Sequence, residues 1–246
     1  MLFSQEAHEA LTDERWSAEK VRTAIALIVA DAESADGGGQ LPSPRPISVS
    51  CSYDRTMVPE APFEQTEHGL VAAGEGWFVL NARAGRWHHT EARRASLRFE
   101  GETDFTQIGI TLVVLWPGEP MAMYHREADQ EDFLVLSGDA LLIIEGEERR
   151  LRQWDFVHCP AKTNHVIVGA GATPCAVLAV GAREHQTSRA PDGTLQWTAD
   201  WGAYTVDEAA LRHGAGVEEE TSDEQRAYAR FPKSEPTRYR DGWLPG

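Results

Sequence analysis

Between Gly118 and Gly169 every apolar run is cut short by a glycine, a proline or a charged turn. The run 133–136 (FLVL) meets Ser137-Gly138-Asp139. The run 141–144 (LLII) meets the charged EGEERR turn, and 154–159 (WDFVHC) stops at Pro160. Segments this short do not make amphipathic helices; they make strands joined by tight turns. Several in succession define an all-β sandwich or barrel. The spacing predicts strands at 121–127, 131–137, 140–145, 148–151, 154–158, 164–168 and 175–181. No long helices alternate with them, which excludes a parallel α/β sheet.

Upstream, Ile108–Trp116 is rich in β-branched residues and predicts a strong strand. Gly76–Leu80 and Ala95–Glu100 predict two more. Trp87, His88 and His89 lie between these and are read as surface or loop residues. The two histidines, being neighbours, would point to opposite faces of any strand and so do not form a chelating pair.

The flanks differ in character. Residues 17–35 predict a helix, with Ser17 as N-cap and an apolar stripe of Val21, Ala24, Ile25, Ile28 and Ala32. A connector rich in Gly, Pro and Ser follows, with prolines at 42, 44, 46, 59 and 62. Past Ala182 come a polar loop, a turn at Asp192-Gly193 and a short strand at Leu195–Trp197. Val206–His213 reads as a helix between a Thr205 N-cap and Gly214, and 223–230 (DEQRAYAR) as a second, capped by Ser222. The tail from Lys233 either wraps on the barrel or frays. The expected organisation is a helix and connector over 1–62, a barrel over 63–200, and a helical extension and tail over 201–246.

Charge narrows the partners. The chain carries 39 acidic against 23 basic residues, a formal charge of −16. Phosphate backbones and anionic lipid both call for clustered Lys and Arg, so neither nucleic acid nor a membrane surface is expected. No apolar run is long enough to span a bilayer. The N-terminus has no basic-then-apolar leader pattern. Three cysteines (Cys51, Cys159, Cys175) without metal-site spacing predict reduced thiols and a cytoplasmic protein.

Four side chains in the central stretch suit a metal ion: His125, Glu127, Glu131 and His165. On a strand, alternation puts Met123, His125 and Glu127 on one face and Tyr124 and Arg126 on the other. Glu131 opens the next strand, and His165 follows the Pro160 turn. Two imidazoles with one or two carboxylates form a mixed N/O site suited to divalent Fe, Mn, Ni, Co or Zn. Such a site leaves coordination positions open for water or substrate. Met121, Met123, Phe133 and Phe156 are candidate pocket walls. One of His158 and Cys159 faces the interior; if it is His158, it is a candidate acid, base or substrate contact.

These residues resemble the cupin superfamily. Its first motif is roughly G-x5-H-x-H-x3–4-E-x6-G, and its second G-x5-P-x-G-x2-H-x3-N. Glu131, with six residues before Gly138, matches the end of the first. Pro160 to His165 matches the second, with Lys162 where the family has Gly and Gly169 in place of the final Asn. The H-x-H is not intact: His125 takes the first position and Glu127 the second. A register shifted by one residue would instead place Tyr124 and Arg126 there. The stretches MYHREADQEDFLVLSG and WDFVHCP are similar to a group of bacterial single-domain cupins without an assigned function. The resemblance implies a double-stranded β-helix (jelly-roll) barrel with short N- and C-terminal helical appendages, a metal in an apolar pocket, and a homodimer. It implies a small-molecule substrate or ligand, with dioxygenase or sugar/keto isomerase chemistry. The competing expectation is a non-catalytic small-ligand-binding or structural dimer with a degenerate metal site.

Overall fold

The computed structural model describes residues 58–101, 104–185, 187–189, 195–198 and 200–245. The helix expected over 17–35, the connector before residue 58, Cys51 and the Asp192-Gly193 turn lie outside these residues.

Antiparallel strands dominate. The hairpin β1 (Phe63–Thr66) and β2 (Gly69–Ala72) comes first, then β3 (Trp87–Thr90), β4 (Arg94–Arg98) and the long β5 (Ile108–Leu115). The central stretch supplies β6 (His125–Glu127), β7 (Glu131–Ser137), β8 (Ala140–Ile144), β9 (Glu147–Leu151), β10 (Phe156–Cys159) and β11 (His165–Gly169). After them come β12 (Cys175–Ala182), β13 (Thr187–Arg189), β14 (Leu195–Trp197) and β15 (Gly202–Tyr204). Two short helices, α1 (Glu208–Arg212) and α2 (Glu224–Ala227), precede β16 (Glu235–Thr237).

Two sheets carry the fold. One has seven strands in the order β10-β7-β12-β5-β4-β3-β16, the other five in the order β15-β6-β11-β8-β9. Their inner faces share one core. Val113, Leu115, Phe133, Val135, Val157 and Val177 come from the first sheet, and Ala140, Leu142, Leu151 and Ile167 from the second. This is the jelly-roll barrel expected from the sequence.

The continuous apolar strands are explained by what covers their outer faces. On β8, Leu142 faces the core, while Ile143 and Leu141 face outward against Ala209, Ala210 and Ala215 of α1 and its exit. On β5, Leu112 and Val114 face away from the core and pack with Trp87, Leu97 and Trp243. A strand covered on both sides needs apolar residues at every position.

Two turns use glycine for stated reasons. Glu145 and Gly146 both have positive φ (47° and 78°), as a two-residue hairpin turn between β8 and β9 demands. At Gly138 (φ 73°) an added Cβ would come within 2.6 Å of the Pro174 carbonyl oxygen.

Several local expectations are corrected. Gly76–Leu80 is not a strand. Among the described residues it makes only an isolated bridge from Trp77 to Glu60, and Trp77 and Val79 are exposed. The strand expected at 121–127 shortens to His125–Glu127. Trp87, His88 and His89 are not loop residues: they form β3, and Trp87 is fully buried. The N-caps are Asp207, whose side chain accepts from Ala210 N–H, and Asp223; they are not Thr205 and Ser222. Thr205 instead donates its hydroxyl to Asn164 Oδ1 at 2.9 Å.

The tail wraps. β16 pairs with β3, and Trp243 lies over Trp87 with ring centroids 5.1 Å apart. β15 joins the five-stranded sheet beside β6, with Tyr204 opposite His125.

Candidate metal centre

His125 and His165 are partners in register on neighbouring strands β6 and β11 of one sheet. Glu131 opens β7 in the facing sheet. The three side chains therefore meet across the gap between the sheets. One ligand atom from each lies within 4.8 Å of the others. His165 Nε2 is 3.1 Å from Glu131 Oε2, and His125 Nε2 is 3.5 Å from the same oxygen.

Backbone carbonyls aim both imidazoles. His125 Nδ1 lies 2.7 Å from the Met123 carbonyl oxygen, and His165 Nδ1 lies 3.0 Å from that of Thr163. With Nδ1–H donated to a carbonyl, each neutral ring presents its Nε2 lone pair to the cluster, as a metal ligand must. Glu131 Oε2 and His165 Nε2 are close but not aligned as a hydrogen bond. Both are buried without a hydrogen-bond partner among the described residues. A buried carboxylate oxygen and a buried imidazole nitrogen this close need a positive charge between them, which either a proton on the ring or a shared cation supplies. The residues fit a divalent ion.

The electrostatics point the same way. Burial pushes the His125 imidazolium down, but the hydrogen bonds and charges of Glu127 and Glu131 outweigh it and hold the group well above its ordinary value. Burial also opposes charge on His165. The Cys159 thiol and Glu131 overcome this, and the group is raised to about 9. For Glu131 burial raises the carboxyl, while the two imidazoles pull it below the usual carboxylate range. Without metal, the cluster is a carboxylate held between two protonatable rings.

Glu127 stands slightly apart. Its Oε1 is 3.5 Å from His125 Nε2, but it lies outside the group of three. The segment between Glu127 and Glu131 is anchored: Asp129 is buried and accepts from the His185 backbone N–H at 2.8 Å.

The turn before His165 explains a departure from the family pattern. Lys162, where cupins carry Gly, has φ 71°, and its N–H donates to the Glu127 carbonyl at 2.7 Å. The left-handed conformation costs a non-glycine residue roughly 1–2 kcal/mol. Glycine's extra unfolded-state freedom returns about 0.4–1 kcal/mol of that. Lys162→Gly is therefore expected to stabilise the protein by about 0.5–1 kcal/mol in denaturant melts; a lower midpoint would contradict the strain argument.

The expected pocket residues separate. Phe133 is buried with its ring centroid 5.3 Å from that of His165. Met121 lies in the barrel core. Met123 is buried, but it packs with Tyr204, Val217 and Ala227. Phe156 and His158 do not face the interior. Phe156 is 63% exposed, and His158 points outward to Asp132, 2.7 Å away. Strand alternation sends Val157 and Cys159 inward instead.

The sequence reading missed Tyr204. Its ring lies 6.0 Å from His125 and 5.5 Å from Tyr228, and burial raises its hydroxyl pKa, keeping it protonated. No local signal marks it, since only the return of β15 brings it to the site.

A jelly-roll barrel holding a histidine–carboxylate cluster between its sheets defines the class. Residues 111–181 match the cupin domain family, and this stretch of the chain is a cupin domain. No curated protein matches the chain. Among solved structures it is similar to a protein from Acidithiobacillus ferrooxidans provisionally named a sugar phosphate isomerase. That match has 25% identity and a TM-score of 0.34, and covers 39% of this chain and 62% of that one. A sugar phosphate isomerase from Silicibacter pomeroyi shows 24% identity over 44% of this chain and 82% of its own, with a TM-score of 0.33. A cupin family protein with a double-stranded β-helix from Methanocaldococcus jannaschii shows 16% identity over 44% of this chain and 90% of its own, also with a TM-score of 0.33.

Proposed function

We propose that this protein binds a divalent metal ion through His125, Glu131 and His165 and uses it to act on a small molecule by proton transfer, as in isomerisation of a keto or sugar-like substrate. The observation that carries the reading is the convergence of three ligand atoms from two sheets, two of them buried and without hydrogen-bond partners. The bound ion would supply Lewis acidity and open coordination positions. Glu127 has its carboxylate beside His125 but outside the three-residue group, where it suits a base that takes and returns a proton. The Tyr204 hydroxyl, held protonated, suits a donor that orients the substrate oxygen.

The test is metal content by inductively coupled plasma mass spectrometry. It uses tag-free full-length protein purified without chelators, alongside His125→Ala, His165→Ala and Glu127→Gln. Near-stoichiometric metal is expected in the wild type and in Glu127→Gln, and loss of it in both histidine variants, with folding checked by circular dichroism. A folded wild type that takes up none of the five ions when they are offered would sink the reading.

A further inference from the structure

Among the described residues Arg94, on β4, has no carboxylate partner in contact with its guanidinium. Arg94 opens β4 and is only partly exposed. One guanidinium nitrogen donates to the Met121 carbonyl oxygen at 2.7 Å. Among the described residues it has no other hydrogen bond and no carboxylate within 4.0 Å, so most of its five N–H donors have no protein acceptor. None of its nitrogens is a fully buried orphan, whereas Nε of the adjacent Arg93 is one.

The surroundings make the position unfavourable for an idle cation. Burial and the neighbouring Arg93 push the Arg94 group down to about 10, while Tyr228, Glu224 and Tyr204 act in the opposite sense. Arg93 is held by its own contact, with its guanidinium carbon 4.5 Å from the Tyr228 ring centre. A partly desolvated guanidinium near a second cation carries a cost that one bond to the Met121 carbonyl offsets only in part. It becomes favourable when an anion fills its fork.

Arg94 holds the segment that runs into a metal ligand. Met121, which it contacts, leads into Met123 and His125. The Met123 N–H donates to Tyr228 Oη at 3.2 Å, and its carbonyl oxygen holds His125 Nδ1. Tyr204 bridges the two ends, packing against both Tyr228 and His125.

We infer that Arg94 is the anion-recognising residue of this site, and that the small molecule handled there carries an oxyanion, a carboxylate or a phosphate, which docks on the Arg94 fork. The inference rests on the proposed metal-dependent reading for the identity of the site. Its evidence, an arginine with unused donors, is separate.

The test measures binding of inorganic phosphate and of malonate by isothermal titration calorimetry. It uses full-length wild type, Arg94→Gln and Arg94→Lys, each manganese-loaded and chelator-stripped, with metal content and melting temperature recorded. The wild type is expected to bind at least one probe. Arg94→Gln should weaken it at least tenfold, the scale of lost charge-assisted hydrogen bonds, and Arg94→Lys less, with metal content unchanged in both. Stronger phosphate binding assigns a phosphorylated substrate, and stronger malonate binding a carboxylic acid. Failure of both probes to bind wild type, or equal binding by a folded Arg94→Gln variant, would overturn the inference. Arg94-dependent binding in a protein that takes up no metal would support it and overturn only the metal reading.

Discussion

Glu131→Gln is expected to lower divalent-metal affinity at least about a hundredfold, the upper end of what loss of a mere outer partner costs a metal site. The same substitution should bring down both imidazole pKa values in metal-free protein. Among the described residues Glu131 is the carboxylate shared by the two rings, at 3.5 Å from His125 and 3.1 Å from His165. Burial by itself drives both rings toward the neutral form. The glutamine amide keeps the size but loses the charge, so His165 should fall from about 9, and His125 should fall with it.

The sign of the pH dependence follows. A raised histidine pKa stabilises metal-free protein fully below the ordinary value of 6.5, and this contribution is lost as the pH rises through about 9 for His165. The lowered Glu131 carboxyl stabilises above its ordinary 4.5, and this is lost on acidification through its depressed value. The cluster therefore stabilises the metal-free protein most between 4.5 and 6.5. Metal competes with the imidazole protons, so metal affinity should rise with pH up to about 9, and binding at neutral pH should release protons. Imidazole titration by nuclear magnetic resonance and calorimetry in buffers of different ionisation enthalpy read both effects. Unchanged imidazole titration in a folded Glu131→Gln protein would show that the carboxylate does not couple the rings.

Trp87→Ala is expected to destabilise the barrel by about 3–5 kcal/mol, the range for deleting a large buried aromatic. Trp87 is fully buried on the outer face of the seven-stranded sheet, beneath Tyr239 and Trp243 of the tail. Its indole N–H donates to the Ala82 carbonyl at 2.8 Å, so truncation leaves a cavity and removes one of the two hydrogen bonds that this carbonyl accepts. At roughly 2–4 °C per kcal/mol for a domain of this size, the melting temperature should drop by roughly 6–20 °C. Trp77→Ala is the control. Trp77 is 52% exposed, and its replacement should shift stability by at most about 0.5 kcal/mol. Equal melting of the two variants would contradict the tail's role in covering this face.

Strand positions in the central stretch were legible because a period of two and Gly/Pro turns are local properties. β7 and β12 fall where apolar runs bounded by turn residues put them. Both histidines and Glu131 were legible for the same reason, since each sits at or near the start of a strand that its own neighbours define. Lys162 marks a position whose left-handed backbone a family pattern anticipates as Gly.

Other features were decided by tertiary structure. The parity of β10 is one: FVHC alternates equally well either way, and only pairing with β7 turned Val157 and Cys159 inward and His158 out. The burial of Trp87 is another, because it depends on a tail more than 140 residues away that returns as β16 to close over β3. Tyr204 reached His125 through the pairing of β15 with β6, and Arg94 reached the Met121 carbonyl from β4, both over long stretches of chain or between separate strands. By itself the sequence determined the local alternation and the chemical types at the candidate centre. Which side chains share a space was decided by long-range pairing, because a strand's faces acquire an inside and an outside only when another layer covers one of them.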